Sequence, residues 1–417
     1  MGISTTPVRG TKDYTPKEVE IRDYIQSVIL NTYQRSGFQK ISTPIMEDIE
    51  RLNTSEGGEN LNLIFKILKR GEKLNLNAVN LNENDLVDIG LRYDLTLPLA
   101  RYFANNQNEL RYPFKCIQID KVFRAERPQK GRLREFFQCD IDIIGEDSIN
   151  AEIELIYTTS LVLLNLVFSD FTVRINDRRI LTNIIANAGF RNEDIANVCI
   201  IFDKLDKIGW DGVQSELLKK GFETQIVKKF IDTVSNPLIN KLENLEGLSI
   251  DYKILNDVKT VLSTIETLSR GKYSIKYDIS LVRGMGYYTG MVFEIVSPLF
   301  SSSIAGGGRY DKMIGKFMDK QIPAVGFSIG FERIASIILE NNMINLPKNK
   351  SIALLYCEND VFCDVITKAE SLRMEKYDVA IIKRGKNLGK QFKFLQKEGF
   401  DFAFVFWENK LKNLKEW

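Results

Sequence analysis

The stretch that most constrains how this chain can fold is a strongly basic loop set between two apolar runs. Phe114–Arg124 and Phe136–Ile144 carry aromatic and β-branched residues, and Arg124, Arg127, Lys130, Arg132 and Arg134 crowd the segment that joins them. Two strand-like runs so close in sequence predict an antiparallel hairpin. Its loop charges have two readings when taken alone: a solvated hairpin tip, or a set of guanidinium groups matched to the oxygens of a polyphosphate.

Other elements fall on either side of this hairpin. Thr15-Pro16-Lys17-Glu18 reads as a helix start with a capping hydroxyl, proline in the first turn and glutamate three residues on. Gly37 supplies its stop, and Phe38–Met46 reads as a short strand interrupted by Pro44. From about Arg179 to Gly271 the segments are charged, helical in period and poor in glycine, as in an inserted helical module. Glycine-rich strand patterns return at Tyr277–Val296 and Ser303–Tyr310, and a helix at Ile334–Glu340 leads into the polar stretch Asn341–Lys350. Beyond it, strand, helix, strand, helix and strand alternate over Ile352–Phe406, which implies a small parallel sheet.

Composition narrows the chemistry. At 417 residues, with 44% hydrophobic residues and a net charge of +2, the chain is long enough for two or three domains. No apolar run approaches the roughly 18 residues of a membrane helix, so no membrane association is expected. The chain has no histidine. That removes Ser-His and Cys-His nucleophiles, histidine general bases and histidine-ligated zinc. Five scattered cysteines without a CxxC pair suit reduced thiols in a cytoplasm.

Four further motifs carry polar chemistry. Arg283-Gly284-Met285-Gly286-Tyr287-Tyr288 joins a guanidinium to glycines and two tyrosines, and Ala305–Asp311 is a second glycine-rich run. Gly326-Phe327-Ser328-Ile329-Gly330-Phe331-Glu332-Arg333 runs from a strand into a helix, where Arg333 could clamp a terminal phosphate. Asp94 and Thr96, two apart, would share one face of a strand and suit an ammonium group.

In this order, these segments resemble a class II aminoacyl-tRNA synthetase, and within that class the histidyl-tRNA synthetase family. Arg9–Asp13 is similar to that family's N-terminal signature, and Gly37–Pro44 to motif 1, the dimer-interface element. Phe123–Glu126 with Phe136–Gln138 resembles motif 2, and Gly326–Arg333 resembles motif 3. Arg283–Tyr288 and Ala305–Asp311 resemble the two peptides peculiar to the histidine-specific enzymes.

The resemblance implies an α+β fold, an antiparallel sheet of six or seven strands flanked by helices. Residues 1–178 and 272–340 would form the catalytic core and 179–271 a helical insertion. A linker at 341–350 would lead to a shortened anticodon-binding-like α/β domain at 351–417. In the implied reaction the carboxylate of L-histidine attacks the α-phosphate of ATP, and the histidyl group then passes to the 3′ ribose of tRNA(His).

By the same resemblance, Arg124 and Arg283 are the catalytic cations, gripping the α-phosphate and the amino-acid carboxylate. Arg333 holds the γ-phosphate, with Glu126 and Phe137 around the adenine. Asp94, Thr96 and Gln138 take the α-ammonium, while Asp142, Tyr287 and Tyr288 line the imidazole pocket. Mg²⁺ is expected with ATP and no protein side chain is assigned to it; a cytoplasmic homodimer is also implied. A carboxylate nucleophile is already ionised at pH 7, so a chain without histidine can run the activation step.

Three departures stand out. Gly286 occupies a position where many members carry an acid, and the segment after Leu388 is shorter than the family's usual tail. Lys383–Trp417 nevertheless holds nine Lys/Arg against four Asp/Glu, which suits RNA phosphates or a solvated face. The missing histidines would let a histidine-starved cell translate the chain; compositional drift explains them as well. A second resemblance is to the non-catalytic regulatory subunit of ATP phosphoribosyltransferase, against which Arg124, Arg283, Arg333 and the C-terminal α/β segment speak. A synthetase-like enzyme that activates an amino acid without charging tRNA is the third reading.

Overall fold

The computed structural model describes residues 3–53, 60–74, 81–128, 131–245, 247–248, 250–282, 287–346 and 348–416. The chain divides into two compact units, Met1–Ile344 and Asn345–Trp417.

Among the described residues the central sheet of the first unit has eight strands: β1 (Gln39–Lys40), β2 (Phe114–Phe123), β3 (Glu135–Ile144), β4 (Thr172–Asp177), β5 (Ser274–Tyr277), β6 (Met291–Val296), β7 (Ala305–Arg309) and β8 (Ala324–Gly330). They pair in the order β1-β2-β3-β8-β7-β6-β4-β5. The β2–β3 hairpin expected from the sequence is present and antiparallel, and the sheet is parallel only at its two edges, β1–β2 and β4–β5. Helices Pro16–Arg35, Asn150–Asn165, Tyr252–Ser269 and Phe331–Glu340 pack on one another and on the sheet. The first begins at the expected capping box: Thr15 accepts from the Glu18 amide, and Glu18 accepts from the Thr15 amide at 2.8 Å.

Strand alternation sorts the central sheet into two faces. Ile117, Ile141, Phe327 and Phe293 lie in register across β2, β3, β8 and β6 and are all buried, with the Phe293 and Phe327 rings 4.7 Å apart. On the other face the register aligns Cys116, Asp142, Gly326, Gly308 and Val292. Residues with no or short side chains leave room above that face. Leu99 and Phe103 of the helix Thr96–Asn106 cover one end of it, packing with Cys116 and Val292.

Two sequence expectations are corrected here. Phe38–Met46 is two strands in two sheets: β1 joins the central sheet, while Met46–Asp48 pairs with Val87–Leu91 in a three-stranded antiparallel sheet completed by Lys66–Leu68. Pro44 lies in the break, having no amide hydrogen for a ladder, and the buried Arg92 takes up the Thr43 carbonyl at 2.7 Å. Asp94 and Thr96 are not on a strand. Val87–Leu91 ends before them and Thr96 opens a helix, whose Leu97 amide donates to Asp94 Oδ1 at 3.2 Å.

The helices between Arg178 and Ser269 include Arg178–Ala188, Ile195–Phe202, Leu205–Lys219 and Thr224–Val234, packed in sequence on one another. The second unit holds the expected parallel strands Ser351–Tyr356, Asp378–Lys383 and Phe402–Val405. It also holds a fourth, antiparallel strand, Lys410–Asn413, that the sequence pattern did not predict.

Candidate active site

A cavity of about 250 Å³ opens over the glycine-bearing face of β3, β7 and β8. The hairpin supplies one wall. Arg124, just past the end of β2, donates from Nε to the Tyr93 carbonyl at 2.9 Å, and its guanidinium lies 5.2 Å from the centre of the Phe136 ring. That anchoring orients the guanidinium, whose remaining N–H groups meet no acceptor among the described residues, and the side chain lines the cavity. Glu126 and Phe137 line the same wall; Glu126 accepts from Arg132 at 3.4 Å.

Arg333 lines the cavity from the first turn of the helix Phe331–Glu340 and donates to the Ser303 carbonyl. Its neighbour Glu332 is held by a buried bidentate pair with Arg22, both contacts at 2.7 Å, and also accepts from the Phe137 amide at 3.3 Å. Arg22 lies in turn 3.9 Å from the Tyr14 ring centre. This knot ties the helix Pro16–Arg35 to the start of the helix Phe331–Glu340 through one buried ion pair.

The floor is acidic. In β3 the alternation Gln138-Cys139-Asp140-Ile141-Asp142 puts three polar side chains on the open face and two apolar ones beneath. Asp142 Oδ1 accepts from Tyr310 at 2.6 Å. Burial pushes the Asp142 carboxyl up to about 7; the Tyr310 hydroxyl pulls it down, and Asp94 adds to the rise. Burial also pushes Asp140 well above the usual carboxylate range, reinforced by Asp142. Asp94 is raised by burial and drawn back by the Leu97 amide and Arg124.

Gly326 makes the Asp142 position possible. A Cβ there would sit 2.0 Å from Asp142 Oδ1. Across the strand, a Cβ at Gly308 would come within 2.9 Å of the Tyr288 ring. Tyr287 and Tyr288 close this end, their ring centres 4.7 Å apart, with Tyr310 edge-on to Tyr287. Burial raises the Tyr287 and Tyr310 hydroxyls well above 10, which keeps both protonated.

The cavity therefore gathers Asp94, Thr96, Arg124, Glu126 and Phe137 with Gln138, Asp142, Tyr287, Tyr288 and Arg333. Arg283 lies outside the described residues. The sequence reading missed roles for Tyr310, Asp140 and Glu332. The period-two pattern of β3 points to Asp140, whereas nothing local foretells that Tyr310 or Arg22 would reach these carboxylates.

The sequence pattern that defines the histidyl-tRNA synthetase family matches residues 10–334. The chain belongs to that family. It is 39% identical to a histidine–tRNA ligase of Leifsonia xyli subsp. xyli, over 97% of this chain and 96% of that one. It is 34% identical to a histidine–tRNA ligase of Flavobacterium johnsoniae, over 95% and 91%. Its fold is similar to the crystal structure of histidyl-tRNA synthetase from Nostoc sp. PCC 7120, with a TM-score of 0.78 at 27% identity, covering 100% of this chain and 96% of that one. A structure described as an ATP phosphoribosyltransferase regulatory subunit/histidyl-tRNA synthetase from Bacillus halodurans C aligns with a TM-score of 0.74 over 94% and 97%. At 20% identity it shares the fold.

Proposed function

We propose that this family member is a class II histidine–tRNA ligase that activates L-histidine with ATP and transfers the histidyl group to the 3′ end of tRNA(His). One observation carries the reading: a single cavity joins two guanidinium groups, Arg124 and Arg333, to an acidic, tyrosine-lined floor. Cations at one end suit a nucleotide triphosphate and a carboxylate, and acceptors at the other suit an ammonium and an imidazole.

In-line attack by the histidine carboxylate concentrates charge on the α-phosphate. Arg124, anchored through Nε and stacked on Phe136, stabilises that charge more than the ground state. By position Arg283 is its partner, and Arg333 takes the terminal phosphate. Glu126 and Phe137 border the adenine. Neutral imidazole offers one donor and one acceptor; Asp142 accepts from the ring N–H, and a tyrosine hydroxyl donates to the other nitrogen. Asp94, Thr96 and Gln138 receive the α-ammonium.

Mg²⁺ would come with ATP, where it would supply charge neutralisation at the phosphate oxygens.

The second unit serves the RNA. Its helix Leu388–Lys397 exposes Lys390, Lys393 and Lys397, with Phe394 bare for stacking. Edge strand β1 is followed by the exposed Ile45 and Met46, as a homodimer contact requires. All five cysteines are free thiols, in keeping with a cytoplasmic setting, and no helix among the described residues is long and apolar enough to cross a membrane.

Histidine-dependent ATP–pyrophosphate exchange followed by charging of tRNA(His) tests the reading. Exchange and charging together are expected. Neither signal would mark a non-catalytic regulator, and exchange alone an enzyme that delivers its adenylate elsewhere.

A further inference from the structure

Three acceptor atoms in the cavity have no partner among the described residues: Asp94 Oδ2, Gln138 Oε1 and Asp140 Oδ1. Asp94 and Asp140 are 2% and 5% exposed, so water does little for them. A buried acceptor left bare costs free energy, and a buried carboxylate without a counter-charge costs more.

The other half of each group is already committed, which fixes the direction of the bare half. Asp94 Oδ1 is taken by the Leu97 amide. Gln138 Nε2 donates to Asp140 Oδ2 and to Ser328 Oγ, both at 3.3 Å. Turning that amide over would set its oxygen against the Asp140 oxygen, so Oε1 is the atom left bare. Asp140 in turn is tied through Oδ2 and keeps Oδ1 unspent.

The charges around Asp140 are unbalanced. Asp142 shares its strand, Asp94 faces it from the start of a helix, and Ser328 faces it from β8. Arg124 is the cation whose charge reaches it, yet no ion pair to Asp140 forms among the described residues. Three bare acceptors, two of them on carboxylates, match the three N–H bonds and single positive charge of an ammonium group. Asp94 and Gln138 already stand in the expected ammonium site; Asp140 does not.

We propose that Asp140 is a third, charge-bearing ligand of the substrate's α-ammonium group and that it makes the site reject the same imidazole acid without its amino group. The inference rests on the histidine-activating reading above. A site whose buried polar groups stay unpaired with the wrong ligand discriminates far more strongly than one that merely leaves space.

The test uses the full-length protein, its Asp140→Asn variant, L-histidine, and the deamino analogue 3-(imidazol-4-yl)propionate. Asparagine keeps size and the Oδ contact while removing the charge. Histidine KM in pyrophosphate exchange should rise by roughly tenfold or more. Binding of the analogue, measured by calorimetry or as inhibition of exchange, should change less than about twofold. Equal losses for both ligands would make Asp140 a structural residue, and unchanged histidine KM would remove it from the site; either overturns the proposal. Asp140→Ser serves as the second variant if the first misfolds, with the same expected split. Wild-type protein that neither binds histidine nor catalyses exchange would instead defeat the functional reading.

Discussion

Replacing Asp142 by asparagine should make the protein more stable, by an amount set by pH. The carboxyl sits fully buried at about 7 against an ordinary 3.8. The folded state thus holds this proton more tightly than the unfolded chain does. For an acid shifted upward, the stabilising effect is greatest at low pH and is lost as pH rises from 3.8 through about 7. Above that window the ionised carboxylate penalises the fold by roughly 4 kcal/mol, the free-energy equivalent of the shift. Asparagine still accepts the Tyr310 hydroxyl through its oxygen and carries no charge, so it escapes the penalty. Urea unfolding of both proteins at pH 5 and pH 8, followed by circular dichroism, gives the comparison. The advantage of the variant should grow by roughly 2 to 3 kcal/mol between the two, since at pH 5 only part of the window has been crossed. Groups that do not interact with Asp142 cancel in the difference, and Asp140, whose rise Asp142 reinforces, moves it the same way. An advantage independent of pH, or a wild type that gains on the variant at pH 8, would refute the reasoning. The same variant should lose histidine-dependent exchange, because stability withheld at this position is what keeps an acceptor ready for the imidazole.

Three more outcomes follow from the geometry. Arg124→Ala should lower kcat for adenylate formation by roughly 10² to 10³, as loss of a charge-stabilising donor does; activity within threefold of wild type would take Arg124 out of the chemistry. Glu332→Gln leaves Arg22 buried without its counter-ion and should cost roughly 3–5 kcal/mol in thermal or urea unfolding, where a loss under 1 kcal/mol would show the pair to be dispensable. Gly326→Ala places a methyl against Asp142 and should raise the histidine KM by roughly tenfold or more through displacement of the carboxylate; an equal rise in the ATP KM would mean that the whole cavity has deformed.

Elements with a strong local pattern could be read directly. The β2–β3 hairpin, the Thr15 capping box and the strand–helix alternation of the second unit each declare themselves within a few residues. Asp94 and Thr96 show where that reading stops. Their spacing fits one face of a strand, but the chain turns into a helix there and its free amide takes half of the carboxylate. Pro44 signalled an interruption, though not that the two halves would enter different sheets. Lys410–Asn413 was invisible because an edge strand of alternating charge gains its stability from the neighbour it pairs with, Phe402–Val405.

Residue order alone settled which side chains stand on a common face of β3, since alternation along a strand needs no partner. It could not settle what that face looks onto. The room for the Asp142 carboxylate comes from Gly326, whose missing Cβ would otherwise meet it, and the state of Asp142 from Tyr310, brought from 168 positions away. The binding of Glu332 by Arg22 spans 310 positions. Contacts of that separation depend on how the sheet and its helices close on one another, and the burial that raises Asp94, Asp140 and Asp142 exists only once they have closed.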